Sequence, residues 1–420
     1  MTRYANIQFK DSKEFIRTVL IINGFEIPVS GRNGKWFTNL PVSDTDQVYL
    51  SGNDDKVNLV FSDEKMFHPD QIAFDKKYNI QCFSSIGGNV YYSLSGELVN
   101  PRKCLVTFPG VSNFDNVNYR LSAMTSLQSR LQGILILAFQ DRESVYGNYM
   151  HETSSGAPVR NIVAKFIGEL CLKYNLKPRD IIFYGNSKGG SIAIDYISEF
   201  PDSRFFIDIP QMELFNYKSQ NALMRYSLGT KARKYYNYIE YLPSMRNRNV
   251  TYSFAERDFD ASRGLPMKEF SGINVAMIKD MEHSGSAMEL VKRQFTKVIQ
   301  LAGTCPVLEK KAIDMRMVYS EGMLYASRLL GAFKDEKQLS KVYAEIEFIG
   351  NGSSYSISLN KKMNRVLFIY WRYGFDALKH LPAGEYQLAL HIYYDFREFV
   401  YPINNIVHIS KNDVVVSKRC

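Results

Sequence analysis

The sequence predicts an α/β protein whose core is a mostly parallel sheet with helices on both faces. Between residues 101 and 303, apolar runs of strand length alternate with segments of helical periodicity, a pattern typical of parallel sheets covered by helices. One run, at residues 181–184, leads directly into the turn Gly185-Asn186-Ser187-Lys188-Gly189-Gly190, and a helical pattern follows at residues 191–200. A strand, a tight turn and a helix are therefore expected in succession.

Six predicted strands lie in this middle region, and polar residues follow each of them. Ligands bind open α/β sheets at the edge formed by the carboxyl ends of the strands, so the site is expected there. A helix is predicted at residues 159–174, where apolar side chains recur at helical spacing after Pro158. The strands are predicted at residues 104–108, 134–139, 181–184, 205–207, 250–254 and 273–278.

The patterns on either side of the middle region predict three domains. Residues 1–98 predict a small α/β or β-rich domain with a helix at 12–22 and strands at 48–50 and 57–61. Residues 99–304 form the predicted central domain. Within residues 305–420, apolar and polar residues alternate with a period of two in segments such as 355–359 and 386–392. This pattern predicts a β-sandwich-like domain, with a hairpin around Ser320-Glu321-Gly322.

Aromatic residues of the C-terminal region have two interpretations. They either stack on sugar rings as a glycan platform or pack in the core, and core packing is the commoner fate of aromatic residues in strands. The residues concerned are Tyr370, Trp371, Tyr373, Tyr393 and Tyr394.

Residues 210–249 form an insertion that is longer than an ordinary connection between two elements. One interpretation is a lid that binds an anionic or sugar ligand. The other is a helix pair with packed aromatics and solvated basic side chains, which is the commoner use of such a pattern. The residues concerned are Lys231, Arg233, Lys234, Tyr235, Tyr236, Tyr238 and Tyr241.

Composition and charge restrict the partners. Hydrophobic residues make up 45% of the chain and charged residues 23%, which predicts a folded globular protein rather than a disordered one. The net charge of +9 favours an anionic partner such as a phosphorylated cofactor or an acidic polymer. No nucleic-acid-binding motif is recognisable, so we expect no nucleic-acid partner.

Several targeting and ligand signals are absent from the sequence. No apolar run is long enough for a transmembrane segment, and the first 25 residues lack the pattern of a secretion signal, so we expect a cytoplasmic protein. The five cysteines lie far apart without a Cys-x-x-Cys pair. This spacing predicts free thiols and no metal site.

Ser187 is the candidate nucleophile, because it stands in a tight turn between a strand and a helix. Such a turn brings the helix against the strand and needs small neighbours, which Gly185, Gly189 and Gly190 supply. A serine hydroxyl also needs a base within hydrogen-bond reach, and the base needs an orienting carboxylate.

His283 is the candidate base among six histidines, because it alone follows a predicted core strand at the expected place. Asp258, just beyond the strand at residues 250–254, is the candidate acid, which gives the chain order serine, acid, histidine. Asp260 and Asp208 remain alternatives, since a carboxylate in a loop after a strand is often only a turn residue. Glu282 is too close to His283 in sequence to orient its ring.

Acyl chemistry also needs backbone donors for a developing oxyanion. The N–H of Lys188, directly after the candidate nucleophile, is the first expected donor. Gly110 or Val111 is the expected second donor, because both follow the strand at residues 104–108. An ordinary β-turn explains either residue equally well.

Together these features, over residues 101–303, resemble the α/β-hydrolase superfamily, with Ser187, Asp258 and His283 at the positions of its nucleophile, acid and base. The segment Tyr-Gly-Asn-Ser-Lys-Gly-Gly is similar to the variant in bacterial capsular polysaccharide O-acetyltransferases and in glycan-acetylating proteins of the accessory secretion system. That resemblance implies transfer of acetyl from acetyl-CoA to a polysaccharide hydroxyl through an acetyl-serine, without a permanently bound cofactor. It also implies β-rich flanking domains that hold the polymer, and work within a capsule-assembly complex at the inner membrane.

Two other functions remain open at this point. A carbohydrate or carboxyl esterase uses the same triad with water as acceptor, and Lys188, where many family members carry other residues, leaves the class open. A non-catalytic scaffold in polysaccharide assembly would keep the fold without the reaction. A complete triad in the expected order argues against the scaffold, and the missing secretion signal favours a biosynthetic transferase.

Overall fold

The computed structural model describes all residues of the chain except 1, 11–13, 15, 32–37, 53, 112–115, 144–146, 154–155, 215–237, 239–244, 246–248, 259–260, 262–271, 331–335, 365 and 420. A sheet of fourteen strands crosses the described part, and three smaller sheets accompany it. No helix of this part has both the length and the apolar character to cross a membrane.

Two antiparallel sheets of three strands each form the first part of the chain, in the orders β4-β1-β6 and β3-β2-β5. Their inner faces share one apolar cluster that includes Ile7, Leu20 and Ile27. A helix, α1 (Pro69–Lys77), follows them. The strands are β1 (Thr2–Phe9), β2 (Ile16–Ile22), β3 (Phe25–Gly31), β4 (Leu40–Ser43), β5 (Val48–Ser51) and β6 (Val57–Ser62).

The helix predicted at residues 12–22 is wrong, because Ile16–Ile22 forms strand β2. β-Branched residues such as Ile16, Thr18 and Val19 restrict side-chain rotation in a helix and pack well on a sheet. Asn23 and Gly24 both have positive φ, at 51° and 77°, as a two-residue hairpin turn requires. The Asn-Gly pair therefore marks the β2–β3 hairpin rather than a helix end.

The eight strands of the central region lie in the order β7-β8-β10-β9-β11-β12-β13-β14. Those from β9 onward run parallel, whereas β8 is antiparallel to both of its neighbours. All six predicted strands are confirmed. The strands are β7 (Gln81–Ser85), β8 (Gly88–Gly96), β9 (Lys103–Phe108), β10 (Ile134–Gln140), β11 (Ile181–Asn186), β12 (Arg204–Asp208), β13 (Val250–Ala255) and β14 (Asn274–Ile278).

Helices cover this sheet on both faces. The apolar side of α2 (Val159–Tyr174) packs on one face in a cluster with Val106, and α4 (His283–Leu301) packs on the other face in a cluster with Leu105. The predicted bounds of α2 are confirmed. The helix after the glycine-rich turn, α3 (Lys188–Ile194), is shorter than predicted. The strand order, the covered sheet and the turn between β11 and α3 are those of an α/β-hydrolase fold.

The C-terminal region continues the central sheet. Strand β19 pairs in parallel with β14, and antiparallel strands β18, β22, β23 and β24 follow it. The strands are β15 (Val307–Glu309), β16 (Arg316–Ser320), β17 (Met323–Leu329), β18 (Val342–Gly350), β19 (Ser353–Ser358), β20 (Asn360–Asn364), β21 (Val366–Tyr370), β22 (Gly384–Tyr394), β23 (Arg397–Ile409) and β24 (Val414–Lys418), with a short helix, α5 (Ala377–His380), before β22.

A separate sheet of order β16-β17-β21-β20 packs on this extension and completes a sandwich-like arrangement. The Trp371 ring stacks on Phe348 of β18, with ring centroids 6.3 Å apart. The predicted hairpin around Glu321 and Gly322 is confirmed as the β16–β17 turn. The large sheet contains strands from both sides of residues 98 and 304, the predicted domain boundaries. The division into three domains therefore stays a prediction.

Buried ion pairs fasten helix α4 to the extension. The Arg293 guanidinium donates through Nε to both carboxylate oxygens of Glu345 in β18, each at 2.9 Å. One turn later, Lys297 Nζ lies 2.7 Å from Oε1 of Glu398, whose side chain is fully buried. The helix that begins at His283 is therefore bound to the C-terminal strands through ion pairs whose carboxylates are buried.

His391 joins the same network from strand β22. Its Nδ1 lies 2.7 Å from Oε1 of Glu398, and its Nε2 lies 2.9 Å from Oε2 of Glu347. Burial alone would lower the pKa of His391, but the hydrogen bonds with the two carboxylates outweigh that effect and raise the pKa to about 9. His391 is therefore a cation at neutral pH, held between two carboxylates.

We predict that this protonation stabilises the fold at neutral pH and that the stabilisation disappears in alkali. The folded protein holds the proton more tightly than the unfolded chain, in which the pKa is about 6.5, so the contribution is complete below pH 6.5 and is lost as pH rises through 9. It is on the order of 3 kcal/mol. Denaturant titrations at pH 6 and pH 10 should show this loss in the wild type and not in His391→Gln. His408→Gln, at a partly exposed histidine, is the control. Parallel pH profiles for wild type and His391→Gln would contradict the prediction.

Candidate active site

The backbone at Ser187 is strained. Its φ is 53° and its ψ is −120°, a conformation that residues other than glycine rarely adopt. The turn projects from the carboxyl end of β11, and the Ser187 N–H donates to the Asp208 carbonyl at 2.9 Å. This hydrogen bond ties the turn to the neighbouring strand β12, so the serine stands at the edge of the sheet where ligands are expected.

Two glycines permit the close approach of α3 to the sheet. A Cβ on Gly185 would lie 1.9 Å from the Gly189 carbonyl oxygen, and a Cβ on Gly189 would lie 2.5 Å from the Phe108 carbonyl oxygen. Neither position has room for a side chain, because the obstacles are backbone atoms. The glycines of the motif are therefore required for packing, as the sequence analysis expected.

The structure brings Ser187, His283 and Asp258 into one hydrogen-bonded chain. The Nε2 atom of His283 lies 2.8 Å from Ser187 Oγ, and its Nδ1 lies 2.6 Å from Asp258 Oδ2. The Asp258 side chain is 2% exposed, while that of His283 is 26% exposed. A buried carboxylate thus holds one nitrogen of an accessible imidazole, and the other nitrogen faces the serine hydroxyl.

The other candidate acids do not contact His283 in this way. Asp208 is buried and accepts a hydrogen bond of 2.6 Å from Gln294 Nε2, and burial raises its pKa to about 6 against that bond. The Glu282 side chain is exposed at the start of α4. Asp260 lies outside the described residues. Among the described candidates, Asp258 is the one hydrogen-bonded to the histidine ring.

The loop after β9 runs beside the serine turn. Phe108 pairs with Gly185 in the parallel register of β9 and β11, so the chain reaches Gly110 next to Asn186. A Cβ on Gly110 would lie 3.8 Å from the Asn186 carbonyl oxygen. Gly110 and Val111 are both half-buried, and residues 112–115 lie outside the description. The loop thus lies beside the serine turn, and its role as a second oxyanion donor stays a prediction.

The Lys188 side chain forms a buried ion pair that the sequence analysis missed. Its Nζ lies 3.1 Å from Asp141 Oδ2, and the two side chains are 3% and 1% exposed. Asp141 follows β10 at the carboxyl edge of the sheet and also accepts a hydrogen bond of 3.1 Å from the Asn148 N–H. The sequence signal that could have indicated this pair is a carboxylate that follows a predicted strand and so lies at the same sheet edge as the lysine. The pair holds the first residue of α3, whose N–H is the expected oxyanion donor.

Most of the insertion at residues 210–249 lies outside the described residues, including its basic cluster and Tyr235, Tyr236 and Tyr241. Tyr238 is described and fully buried, with its hydroxyl 2.9 Å from His151 Nε2. His151 lies between β10 and α2, and burial lowers its pKa to about 3. The packing interpretation therefore holds for Tyr238, and the lid stays a prediction.

The C-terminal aromatics divide into a buried set and an exposed set. Trp371 and Tyr393 are 2% and 1% exposed, so neither can stack on a sugar ring. Tyr373 is 57% exposed, and Tyr370 and Tyr394 are half-buried. The glycan-platform interpretation is therefore wrong for Trp371 and Tyr393, because the sandwich-like packing covers them.

Comparisons with known proteins give only distant likenesses. No protein-family model matches the chain, and no curated protein matches it. The solved capsule O-acetyltransferase of Neisseria meningitidis serogroup A is 18% identical over 53% of this chain and 94% of that chain, with a TM-score of 0.39. The Gap123 complex of Streptococcus agalactiae is 13% identical over 71% and 63%, with a TM-score of 0.40. An S-formylglutathione hydrolase of Agrobacterium tumefaciens is 12% identical over 53% and 95%, with a TM-score of 0.38.

We predict that the Lys188–Asp141 pair couples energetically. Lys188→Met leaves an unpaired buried carboxylate, so the free energy of unfolding should fall by about 3–5 kcal/mol. The double variant Lys188→Met/Asp141→Asn should lose less than the sum of the two single variants, as measured by denaturant titration. The control Lys165→Met removes an exposed lysine of α2 and should change the value by less than about 0.5 kcal/mol. Strictly additive losses would contradict the coupling.

Proposed function

We propose that this protein is a serine-dependent O-acetyltransferase that moves acetyl from acetyl-CoA to hydroxyls of a bacterial surface polysaccharide through an acetyl-serine. The observation that carries the proposal is His283, whose two ring nitrogens reach Ser187 Oγ and Asp258 Oδ2. This arrangement serves nucleophilic acyl transfer, because it supplies a nucleophile, a base and an orienting acid in contact.

The first half-reaction acylates the serine. His283 Nε2 accepts the proton of Ser187 Oγ while that oxygen attacks the thioester carbonyl carbon. The carbon–sulfur bond then breaks, and His283 returns the proton to the departing thiolate of coenzyme A. Asp258 accepts the Nδ1–H of His283, which keeps the ring in place, and its charge stabilises the imidazolium. The burial of the Asp258 side chain against the ring favours this interaction.

The second half-reaction transfers the acetyl group. A sugar hydroxyl gives its proton to His283 Nε2 and attacks the carbonyl carbon of acetyl-Ser187. The bond between that carbon and Ser187 Oγ breaks, and His283 returns the proton to Oγ. In both halves the negative oxygen of the tetrahedral intermediate lies against the N–H of Lys188 and a donor of the loop that holds Gly110 and Val111.

Three features support the donor and the acceptor. The turn motif resembles that of capsular polysaccharide O-acetyltransferases. The net charge of +9 favours the phosphates of coenzyme A and acidic polymers. The third feature is the carboxyl edge of the sheet, where the Ser187 hydroxyl lies 2.8 Å from a histidine whose side chain is 26% exposed. An esterase differs from this proposal only in its second acceptor, which is water.

We predict that a fluorophosphonate probe labels the folded protein at Ser187 and that Ser187→Ala abolishes the labelling. Asp258→Asn should slow the cleavage of a simple acetyl ester roughly 10³–10⁴-fold, because the imidazole loses its orienting carboxylate. Gel fluorescence and ester-cleavage assays measure the two effects. The exposed neighbour Ser284→Ala is the matched control and should label like the wild type. Labelling that survives Ser187→Ala would contradict the assignment.

We predict, separately, that release of free thiol from acetyl-CoA depends on a polysaccharide acceptor. In a transferase, the acetyl-serine waits for a sugar hydroxyl, so thiol release should rise at least tenfold when a suitable polysaccharide is added. A thiol-reactive dye measures the release, and a deacetylated capsule preparation is the acceptor. Rapid cleavage of simple acetyl esters together with indifference to acetyl-CoA would make the protein an esterase.

A further inference from the structure

The outer face of the small C-terminal sheet is more aromatic than a solvated face requires. The inner residues of β17 and β21, such as Leu324 and Ile369, are fully buried. An antiparallel sheet of this kind is expected to present polar residues on its other face. The outer face instead carries a concave site of about 370 Å³, whose lining on this face includes Arg316, Val318, Tyr325, Ser327, Phe368 and Tyr370.

Strand register arranges this site as a row with a cation at one end. Arg316 of β16 pairs with Ser327 of β17, Ser327 pairs with Tyr370 of β21, and Tyr370 pairs with Asn360 of β20. Since paired residues lie on the same face, a guanidinium, a hydroxyl, a phenol ring and an amide cross the sheet side by side. The Phe368 ring stacks beside Tyr370, with centroids 5.0 Å apart.

The row continues toward the candidate catalytic site along the chain that leaves β21. Arg372 and Tyr373 are exposed, and the Arg372 guanidinium lies 5.9 Å from the centre of the Tyr373 ring. On the same ring, the guanidinium of Arg257 also lies at 5.9 Å. Arg257 directly precedes Asp258, so the exposed aromatics reach the loop that holds the candidate acid.

The charge of this surface selects an anionic ligand. No carboxylate occurs among the lining residues of the concave site that the structure describes. Arg257 is partly neutralised, because its guanidinium donates to Asp280 Oδ1 at 3.3 Å, whereas Arg316 and Arg372 are both exposed cations. Side-chain interactions with Tyr370 and Tyr373 raise the pKa of Arg372 further.

We propose that this aromatic–arginine track, formed by Arg316, Phe368, Tyr370, Arg372, Tyr373 and Arg257, binds an anionic polysaccharide and leads it to Ser187. The apolar faces of sugar rings pack on the aromatic rings, whose π faces also attract the partly positive C–H groups. The guanidinium groups bind carboxylate, sulfate or phosphate substituents, and Ser327 and Asn360 meet sugar hydroxyls. The part of this inference that names the polymer as acceptor rests on the proposed function, whereas the binding itself does not.

Binding is tested in the full chain carrying Ser187→Ala, so that no turnover occurs. Affinity electrophoresis through gels with polygalacturonate, polysialate or heparin should retard the protein, dextran should not, and added salt should weaken the retardation. Arg372→Ala/Tyr373→Ala changes two exposed residues, and the dissociation constant should rise about tenfold. Arg397→Ser, an exposed arginine of the β22–β23 hairpin, is the matched control for charge and should bind like the parent.

Four results would contradict the proposed track. Retardation that the double variant leaves unchanged, equal retardation by dextran, absence of retardation by all three anionic glycans, or tighter binding of single-stranded DNA would each exclude it. Because the assay uses the Ser187→Ala chain, its result is independent of catalysis. If the protein labels with fluorophosphonate but its Ser187→Ala variant binds no polymer, only the proposed track is wrong. If the variant binds polymer but the wild type does not label, only the catalytic proposal is wrong.

Discussion

The strained backbone of Ser187 is the constraint on which the rest of the site depends. A non-glycine residue in this conformation costs on the order of 1–3 kcal/mol and persists only where its surroundings determine it. Here the surroundings are the glycines that let α3 approach the sheet, the hydrogen bond from the Ser187 N–H to strand β12, and the buried pair of Lys188 with Asp141. Packing therefore stabilises the backbone conformation in which the Ser187 hydroxyl lies within hydrogen-bond distance of the His283 imidazole.

The histidine side of the site depends on the C-terminal strands. His283 begins helix α4, and the ion pairs of Arg293 and Lys297 fasten that helix to β18 and β23. Strand β19 also pairs directly with β14, the strand that precedes His283. The C-terminal region is thus part of the framework that positions His283, and the same region carries the proposed aromatic–arginine track, whose Tyr373 ring lies next to Arg257, the residue before Asp258.

The sequence predicts the central strands, helix α2 and the convergence of Ser187, Asp258 and His283, because each depends on local pattern and on chain order. The error at β2 arose because its apolar spacing fits two periods, and the Asn23-Gly24 turn was read as a helix end instead of a hairpin. The Lys188–Asp141 pair joins residues 47 positions apart, and the pairing of β14 with β19 is similarly long in range. Such contacts depend on which strands become neighbours, and no local pattern states that.

The identity of the acylated atom is the most direct test of the proposed mechanism. Rapid quenching of the protein with acetyl-CoA, followed by peptide mass spectrometry, should find one acetyl group on Ser187 and none in Ser187→Ala. Acetyl-CoA that leaves its acetyl group on another residue, or an adduct that persists in Ser187→Ala, would contradict the account.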